Sequence, residues 1–104
     1  MLDEKTIDRI VQHIQKKANP QAMYLFGSYA SGHPNENSDL DLVVIKDVVL
    51  NKREELYSML KDLFSSDYAL DVFLFSAAEF EQKRKAGWTI IKEILEKGIK
   101  LNVG

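Results

Sequence analysis

Two aspartates, separated by one residue, interrupt an otherwise apolar segment of the chain. Asp39 and Asp41 lie in residues 38–45, SDLDLVVI. In a β-strand successive side chains alternate between the two faces, so both carboxylates would lie on the same face. Unpaired carboxylates among aliphatic neighbours are costly and require cations, hydrogen-bond donors or a hydrated strand end. Hard divalent cations are suitable partners, since magnesium is commonly held by one or two carboxylates together with substrate phosphates.

A third carboxylate has a similar setting further along the chain. Asp71 is the polar residue of the segment 69–75, ALDVFLF, which has the composition of a buried strand. It is a candidate third ligand for the same metal site. The alternative for all three aspartates is a solvated or capping position at the end of a strand.

A glycine-bearing connection precedes the aspartate pair. Residues 27–32, GSYASG, leave an apolar segment and enter a short predicted helix. Gly27 would let the backbone pass close to a ligand, and the hydroxyl and amide of Ser28 could donate hydrogen bonds to phosphate. Taken alone this is weak evidence, because a serine in this position can also be an ordinary turn or helix-capping residue.

The elements that must position these residues follow from the periodicity of apolar positions. Buried strands are predicted at 22–26, 39–45 and 69–75, and the tail 99–103 could add an edge strand. The strand 39–45 has apolar residues on both faces, so we expect a sheet that is covered on both sides. Together with the helices this alternation predicts an α/β or α+β fold, with a small mixed sheet of three or four strands flanked by helices.

Four longer helices are predicted from apolar stripes and capping residues. The first is capped by Asp3 and ends at Asn19-Pro20, and the second runs from a cap at Asn51 to about Phe64. A capping box of Ser76 and Glu79 begins the third, which runs to about Lys85. The apolar positions of the last helix, which Gly98 ends, are Trp88, Ile91, Ile94 and Leu95.

Length and composition restrict the class of protein. At 104 residues we expect a single domain spanning 1–104, and 45% apolar residues suffice for a modest core. The formal net charge of -2 does not favour a protein that coats nucleic acid, so direct nucleic-acid binding is not expected. The absence of cysteine excludes disulfides and thiolate metal sites. Without a long apolar run we expect no membrane span, and a cytoplasmic location.

The spacing of these motifs resembles the signature of the DNA polymerase beta-like nucleotidyltransferase superfamily. Gly27-Ser28 is followed by ten residues and then by Asp39-Leu40-Asp41. Within that superfamily the chain is most similar to the minimal nucleotidyltransferases, the MNT family. Residues 22–45 carry the specific part of the match, and the segment around Asp71 and the end of the last helix match less specifically.

This resemblance implies a function and a role for each candidate residue. Asp39, Asp41 and Asp71 would be catalytic and would hold Mg²⁺, two ions in all, and Asp71 could also help to take a proton from the acceptor hydroxyl. Gly27 and Ser28 would bind the nucleoside triphosphate. The implied reaction is an attack on the α-phosphorus of ATP that transfers AMP and releases pyrophosphate.

The resemblance also implies a partner. Family members of this size are similar to antitoxins that are encoded beside helical HEPN-type toxins, some of which receive AMP on a tyrosine. We therefore expect the acceptor hydroxyl to lie on a partner protein, with homo-oligomers left open. One departure weakens the expected triphosphate affinity, since many relatives have an arginine where this chain has Ser31.

Two other functions remain open from the sequence. The domain could be a non-catalytic antitoxin that neutralises a HEPN toxin by forming a complex with it. Transfer to an antibiotic or to RNA is less favoured, because 104 residues leave little material for a domain that binds such an acceptor.

Overall fold

A four-stranded mixed β-sheet with helices packed on both faces forms the structure, a computed structural model that describes residues 2–65 and 67–101. The strands are β1 (Ala22–Phe26), β2 (Leu40–Lys46), β3 (Leu70–Ser76) and β4 (Ile99–Leu101). The helices are α1 (Glu4–Ala18), α2 (Ser28–Ser31), α3 (Lys52–Leu60), α4 (Ala77–Lys85) and α5 (Thr89–Lys97). The strand order is β3-β2-β1-β4, with β1 antiparallel to β2 and β4, and with β2 parallel to β3. The predicted mixed sheet flanked by helices is confirmed.

Each face of the sheet has its own apolar core, because β2 lies inside the sheet and contributes to both. Helices α1 and α3 cover one face, where the buried residues include Ile10, Ile14, Met23, Leu42, Val44 and Met59. Helices α4 and α5 cover the other face, where the buried residues are Val43, Ile45, Phe75, Phe80, Ile91 and Ile94. The prediction of a sheet covered on both faces is therefore confirmed.

Three predicted N-caps are present. The side chains of Asp3, Asn51 and Ser76 accept hydrogen bonds from backbone N–H groups three residues later, at 2.9, 3.1 and 3.0 Å. The predicted capping box is only half formed. Instead of reaching back to Ser76, the Glu79 carboxylate accepts a hydrogen bond of 2.9 Å from Lys52 Nζ in α3. This pair links the helices that follow β2 and β3.

Several predicted boundaries shift. Strands β2 and β3 each begin and end one residue later than predicted, which is within the usual uncertainty of strand ends. Helix α3 ends at Leu60 and not at about Phe64, because the chain enters a turn in which Leu63 N–H bonds to Leu60. Tyr68 then donates its hydroxyl to the Leu63 carbonyl. The tail forms the predicted edge strand over 99–101, and its expected extension to 103 lies outside the described residues.

The buried stripe of α5 differs from the predicted one. Ile91 and Ile94 are fully buried, but Leu95 is 45% exposed and Trp88 is 51% exposed. Ile90 packs against the core, whereas Leu95 lies at the border of the buried stripe. Trp88 precedes the helix, and Lys83 Nζ lies 3.9 Å from its ring centroid. No helix within the described part of the chain has both the length and the apolarity to cross a membrane.

Candidate active site

The strand register brings the three aspartates together at the end of the sheet where strands β2 and β3 begin. Asp41 of β2 is the direct partner of Asp71 in the parallel strand β3, and it is also the partner of Phe26 at the end of β1. Asp39 immediately precedes β2 and lies on the same face as Asp41 because side chains alternate. The three carboxylates therefore lie on the face of the sheet that α4 and α5 cover, beyond the part that these helices bury.

An apolar layer lies directly beneath the carboxylates. Two residues beyond Asp41, and on the same face, Val43 is fully buried. It is the partner of Tyr24 in β1 and of Phe73 in β3. The rings of Phe26 and Phe73 meet edge to face, with centroids 5.5 Å apart. The aspartates are thus supported on one side by hydrocarbon that gives them no hydrogen bonds, and they face solvent on the other.

The carboxylates perturb one another. Burial against the apolar layer raises the pKa of Asp41 to about 6, and the charges of Asp71 and Asp39 add to this increase. Burial also raises the pKa of Asp71, together with a hydrogen bond to Asp39 and the charge of that residue. Mutual elevation of this kind requires carboxylates that are close enough to repel or to share a proton. The three carboxylates therefore concentrate negative charge at a place where water does not fully screen it.

Gly27 lies against the central carboxylate. Its φ of +75° is in a region that favours glycine, and a Cβ built on it would overlap Asp41 Oδ2. Gly27 follows Phe26, the β1 partner of Asp41, so the antiparallel pairing of β1 and β2 creates this approach. The predicted glycine and the predicted aspartates therefore occupy one site.

Helix α2 presents its residues in different directions. Ser28 begins the helix, and its carbonyl accepts hydrogen bonds from the Ser31 hydroxyl at 3.0 Å and from the His33 N–H at 3.1 Å. Tyr29 packs against the core beside α1, and its hydroxyl accepts a hydrogen bond of 3.0 Å from Leu2 N–H. Tyr29 is therefore a packing residue in this structure, and Ser31 bonds back to its own helix.

Two cavities flank the candidate site and share no lining residue. One, of about 410 Å³, is lined by Phe26, Gly27, Ser31, Glu93 and Lys97. The other, of about 350 Å³, is lined by residues from α2, from the segments that precede β2 and β3, and from the start of the chain: Leu2, Tyr29, Glu36, Asn37, Ser38, Asp67, Tyr68 and Ala69. The first cavity adjoins Asp41 through Gly27, whereas the second is lined by Leu2, Tyr29 and Tyr68, which pack on the opposite face of the sheet.

The donor set fits a hard divalent cation. Three carboxylates on adjacent strands supply oxygen ligands of the kind that Mg²⁺ prefers, and their mutual repulsion would be relieved by a cation. Within residues 2–65 and 67–101 no three acidic, histidine or cysteine side chains are arranged so that they could hold a metal ion by themselves, so water or substrate oxygens would have to complete the ligand set. An open set suits magnesium, which usually retains water or takes phosphate oxygens as further ligands. Asp39, Asp41 and Asp71 are the residues that would hold it.

Sequence reasoning missed the contribution of α5 to this site. Lys97 lines the larger cavity beside Gly27 although it is distant from it in sequence. No local signal could have identified it, since a lysine in the last turn of a helix is ordinarily a solvated residue that interacts with the helix dipole. Glu93, which also lines the cavity, belongs to the helix end that matched the family pattern only weakly.

Comparison with known proteins identifies similar sequences and folds. Residues 8–102 match the family described as "Polymerase beta, Nucleotidyltransferase". A curated protein of Methanocaldococcus jannaschii, named as a putative protein adenylyltransferase, is 29% identical over 100 residues, which are 94% of this chain and 96% of that protein.

Solved structures share the fold at lower identity. A mutant of the MntA-HpeT toxin-antitoxin complex has a TM-score of 0.65 and 23% identity, covering 99% of this chain and 75% of that one. A toxin-antitoxin structure with AMP-PNP has a TM-score of 0.60 and 24% identity, with the same coverage. These likenesses extend over almost the whole sheet and its helices.

Proposed function

This chain belongs to the polymerase beta nucleotidyltransferase family, and from that premise we propose that it transfers AMP from ATP to a hydroxyl of a partner protein. The family that the motif spacing predicted is thereby confirmed. The observation that carries the proposal is the meeting of the perturbed carboxylates of Asp41 and Asp71 with Gly27 at one edge of the sheet. Perturbed carboxylates in a cleft are typical of sites that perform chemistry.

The proposed roles follow from position. Asp39 and Asp41 hold magnesium, and Asp71 completes the ligand set from the neighbouring strand. Gly27 allows the triphosphate to approach the backbone, and Ser28 donates hydrogen bonds to it from its hydroxyl and amide. Magnesium, when bound, would neutralise phosphate charge and polarise the α-phosphate.

The reaction needs a nucleophile and a proton acceptor. The acceptor oxygen attacks the α-phosphorus, a new O–P bond forms, and the bond to pyrophosphate breaks. The proton of the acceptor hydroxyl passes to a carboxylate, for which Asp71 is the best placed at the solvent side of the site.

Support for a protein acceptor comes from the relatives. One similar protein is named as a putative protein adenylyltransferase, and two similar solved structures are of toxin-antitoxin complexes. We propose that the acceptor is a HEPN-type toxin and that this chain is its antitoxin. Ser38, which directly precedes Asp39, lines a second cavity that is separate from the one beside Gly27, and we propose that the acceptor approaches from that end of β2.

A transfer assay tests the proposal. Purified protein, magnesium and α-labelled ATP are incubated with a co-encoded HEPN-type protein, and the label on the partner is followed. The double substitution Asp39→Asn and Asp41→Asn should reduce transfer by about a thousandfold or more. Asp47→Asn, which changes an exposed aspartate beyond the other end of β2, is the matched control and should leave transfer unchanged. Equal labelling by the double variant would refute the catalytic assignment.

The non-catalytic antitoxin is the second candidate, and one observation favours it. Ser31 supplies no positive charge beside Gly27, and its hydroxyl donates a hydrogen bond to the Ser28 carbonyl. Mass spectrometry of a partner co-expressed with this chain separates the two functions. Added AMP units support the enzyme, whereas an unmodified partner held in a stable complex supports the binding module.

A further inference from the structure

We propose that Lys97 binds the β- and γ-phosphates of the nucleotide. The proposal rests on the proposed function and adds a residue to its site. Its basis is the larger cavity, where Lys97 of α5 and Ser31 of α2 are lining residues together with Gly27. A cation from α5 therefore reaches the space that a longer basic side chain at position 31 would enter.

The end of α5 is held against the strand that leads into the site. Ile99 pairs with Leu25 of β1, two residues before Gly27. Gly98 also lies beside this strand, since a Cβ on it would be in van der Waals contact with the Leu25 carbonyl oxygen, at 3.4 Å. Lys97 is the residue immediately before this contact. Its backbone is therefore positioned by sheet pairing and not by a mobile loop.

Lys97 forms no ion pair among the described residues, as is true of most of the fourteen basic residues, and it differs from them in lining the cavity beside Gly27. Lys46, Lys52, Lys83 and Arg84 each form an ion pair with a glutamate. Within residues 2–65 and 67–101, Lys97 has no carboxylate within 4.0 Å of its ammonium group, not even Glu93 one turn earlier. An unpaired ammonium group that lines a cavity beside a phosphate-approach glycine is available for an anion.

The direction of the cavity favours the outer phosphates. Gly27 lies against the Asp41 carboxylate and is also a lining residue of the cavity that contains Lys97. A nucleotide whose α-phosphate lies at the aspartates could extend its remaining phosphates past Gly27 toward Lys97. Glu93 opposes this attraction, so magnesium carried by the nucleotide contributes to the charge balance.

Binding measurements test the assignment without depending on turnover. The probes are α,β-methylene-ATP, whose α–β linkage resists transfer, and AMP, each titrated calorimetrically in magnesium against the whole chain. Lys97→Met should weaken binding of the triphosphate analogue about tenfold and should leave AMP binding unchanged. The loss should shrink at high salt, since the site is exposed. Lys92→Met, on the exposed surface of the same helix, is the control and should bind as the wild type.

A restoring substitution makes the test specific. Ser31→Arg in the Lys97→Met background should recover most of the triphosphate affinity, because the arginine enters the same cavity. Unchanged triphosphate affinity in Lys97→Met, or an equal loss for AMP, would overturn the assignment while wild-type binding still supports the proposed function. If the wild type binds neither probe, the proposed function fails first and the Lys97 assignment fails with it.

Discussion

Asp41 has the most strongly raised pKa of the site and occupies its most central position. Its carboxylate is flanked by Asp71, approached by Gly27 and supported by an apolar layer, and its pKa rises to about 6. In the folded protein the three carboxylates therefore repel one another, and this repulsion is absent from the unfolded chain. Such strain is typical of functional sites, where stability is lowered in favour of ligand binding.

Removing that repulsion should stabilise the metal-free protein. Asp41→Asn in EDTA at pH 7 should raise the free energy of unfolding by about 1 kcal/mol, after allowance for solvent screening of a partly exposed group. The raised pKa means that the folded state binds more protons, so wild-type stability falls as pH rises from about 4 to about 6. Chemical denaturation across this pH range should show that fall in the wild type and a reduced fall in the variant. A lower stability of Asp41→Asn would contradict the geometry of the site.

Gly27 permits a second prediction at the residue scale, with Gly32 as its matched control. Both have positive φ, +75° and +82°, but a Cβ would meet Asp41 only at Gly27, whereas none of the described atoms lies within 4 Å at Gly32. Gly27→Ala should cost about 2 kcal/mol of stability and most of the transfer activity, and Gly32→Ala about 1 kcal/mol with activity retained. Thermal denaturation and the transfer assay measure both. Equal effects of the two substitutions would mean that only backbone strain matters at Gly27.

At the scale of elements, the paired strands set the distances between the site residues. Because β2 and β3 are parallel and in register, Asp41 and Asp71 are adjacent without any loop between them. The antiparallel β1 delivers Gly27 to the same edge, and the pairing of β4 with β1 brings the end of α5 beside it. Elements of the sheet, which are more rigid than loops, therefore carry most of the site.

Gly98 is the point at which α5 meets the sheet. Its φ is ordinary, but a Cβ would overlap the Ile94 carbonyl oxygen, so the close approach and not the backbone angle requires glycine. Gly98→Ala should displace the end of α5, lower stability by about 1–2 kcal/mol and weaken triphosphate binding more than AMP binding. Calorimetric titration with α,β-methylene-ATP and AMP checks this. If triphosphate affinity is retained despite the lost stability, the site does not depend on the end of α5.

At the scale of the whole molecule, acidic and basic residues nearly balance, and the three site aspartates are a local concentration of negative charge. The formal net charge is only -2, and much of the basic run in α4 is paired, since Lys83 contacts Glu79 and Arg84 contacts Glu81. The expectation that nucleic acid is not bound directly stays a prediction. The same holds for the cytoplasmic location, the single domain and the oligomeric state.

Ligand binding at Asp39, Asp41 and Asp71 should stabilise the whole fold. Magnesium with α,β-methylene-ATP at about 100 times the dissociation constant should add about 2.7 kcal/mol to the free energy of unfolding. Neither component alone should match this, because each supplies ligands to the other. Thermal unfolding of wild type and of the Asp39→Asn and Asp41→Asn double variant measures the effect. An equal shift in the double variant would place the nucleotide elsewhere.

Much of the architecture could be predicted because the signals are local. Apolar periodicity identified the strands and the longer helices, and short polar side chains identified the caps at Asp3, Asn51 and Ser76. The errors arose where tertiary contacts override local preference. The exposure of Leu95 depends on which side of α5 meets the sheet, and the early end of α3 depends on the turn around Leu63 that Tyr68 contacts.

The amino-acid sequence by itself determined the chemistry that this protein can offer: carboxylates with a period of two on a strand, a third carboxylate on another strand, and a glycine that precedes a serine. These follow from residue type and backbone geometry alone. Only the tertiary structure decided that β2 and β3 pair in register at Asp41 and Asp71, that Gly27 lies against one of these carboxylates, and that Lys97 lines the cavity beside it. Such contacts join residues distant in the chain, and their distances are set by strand pairing and by packing on both faces of the sheet, which no local pattern specifies.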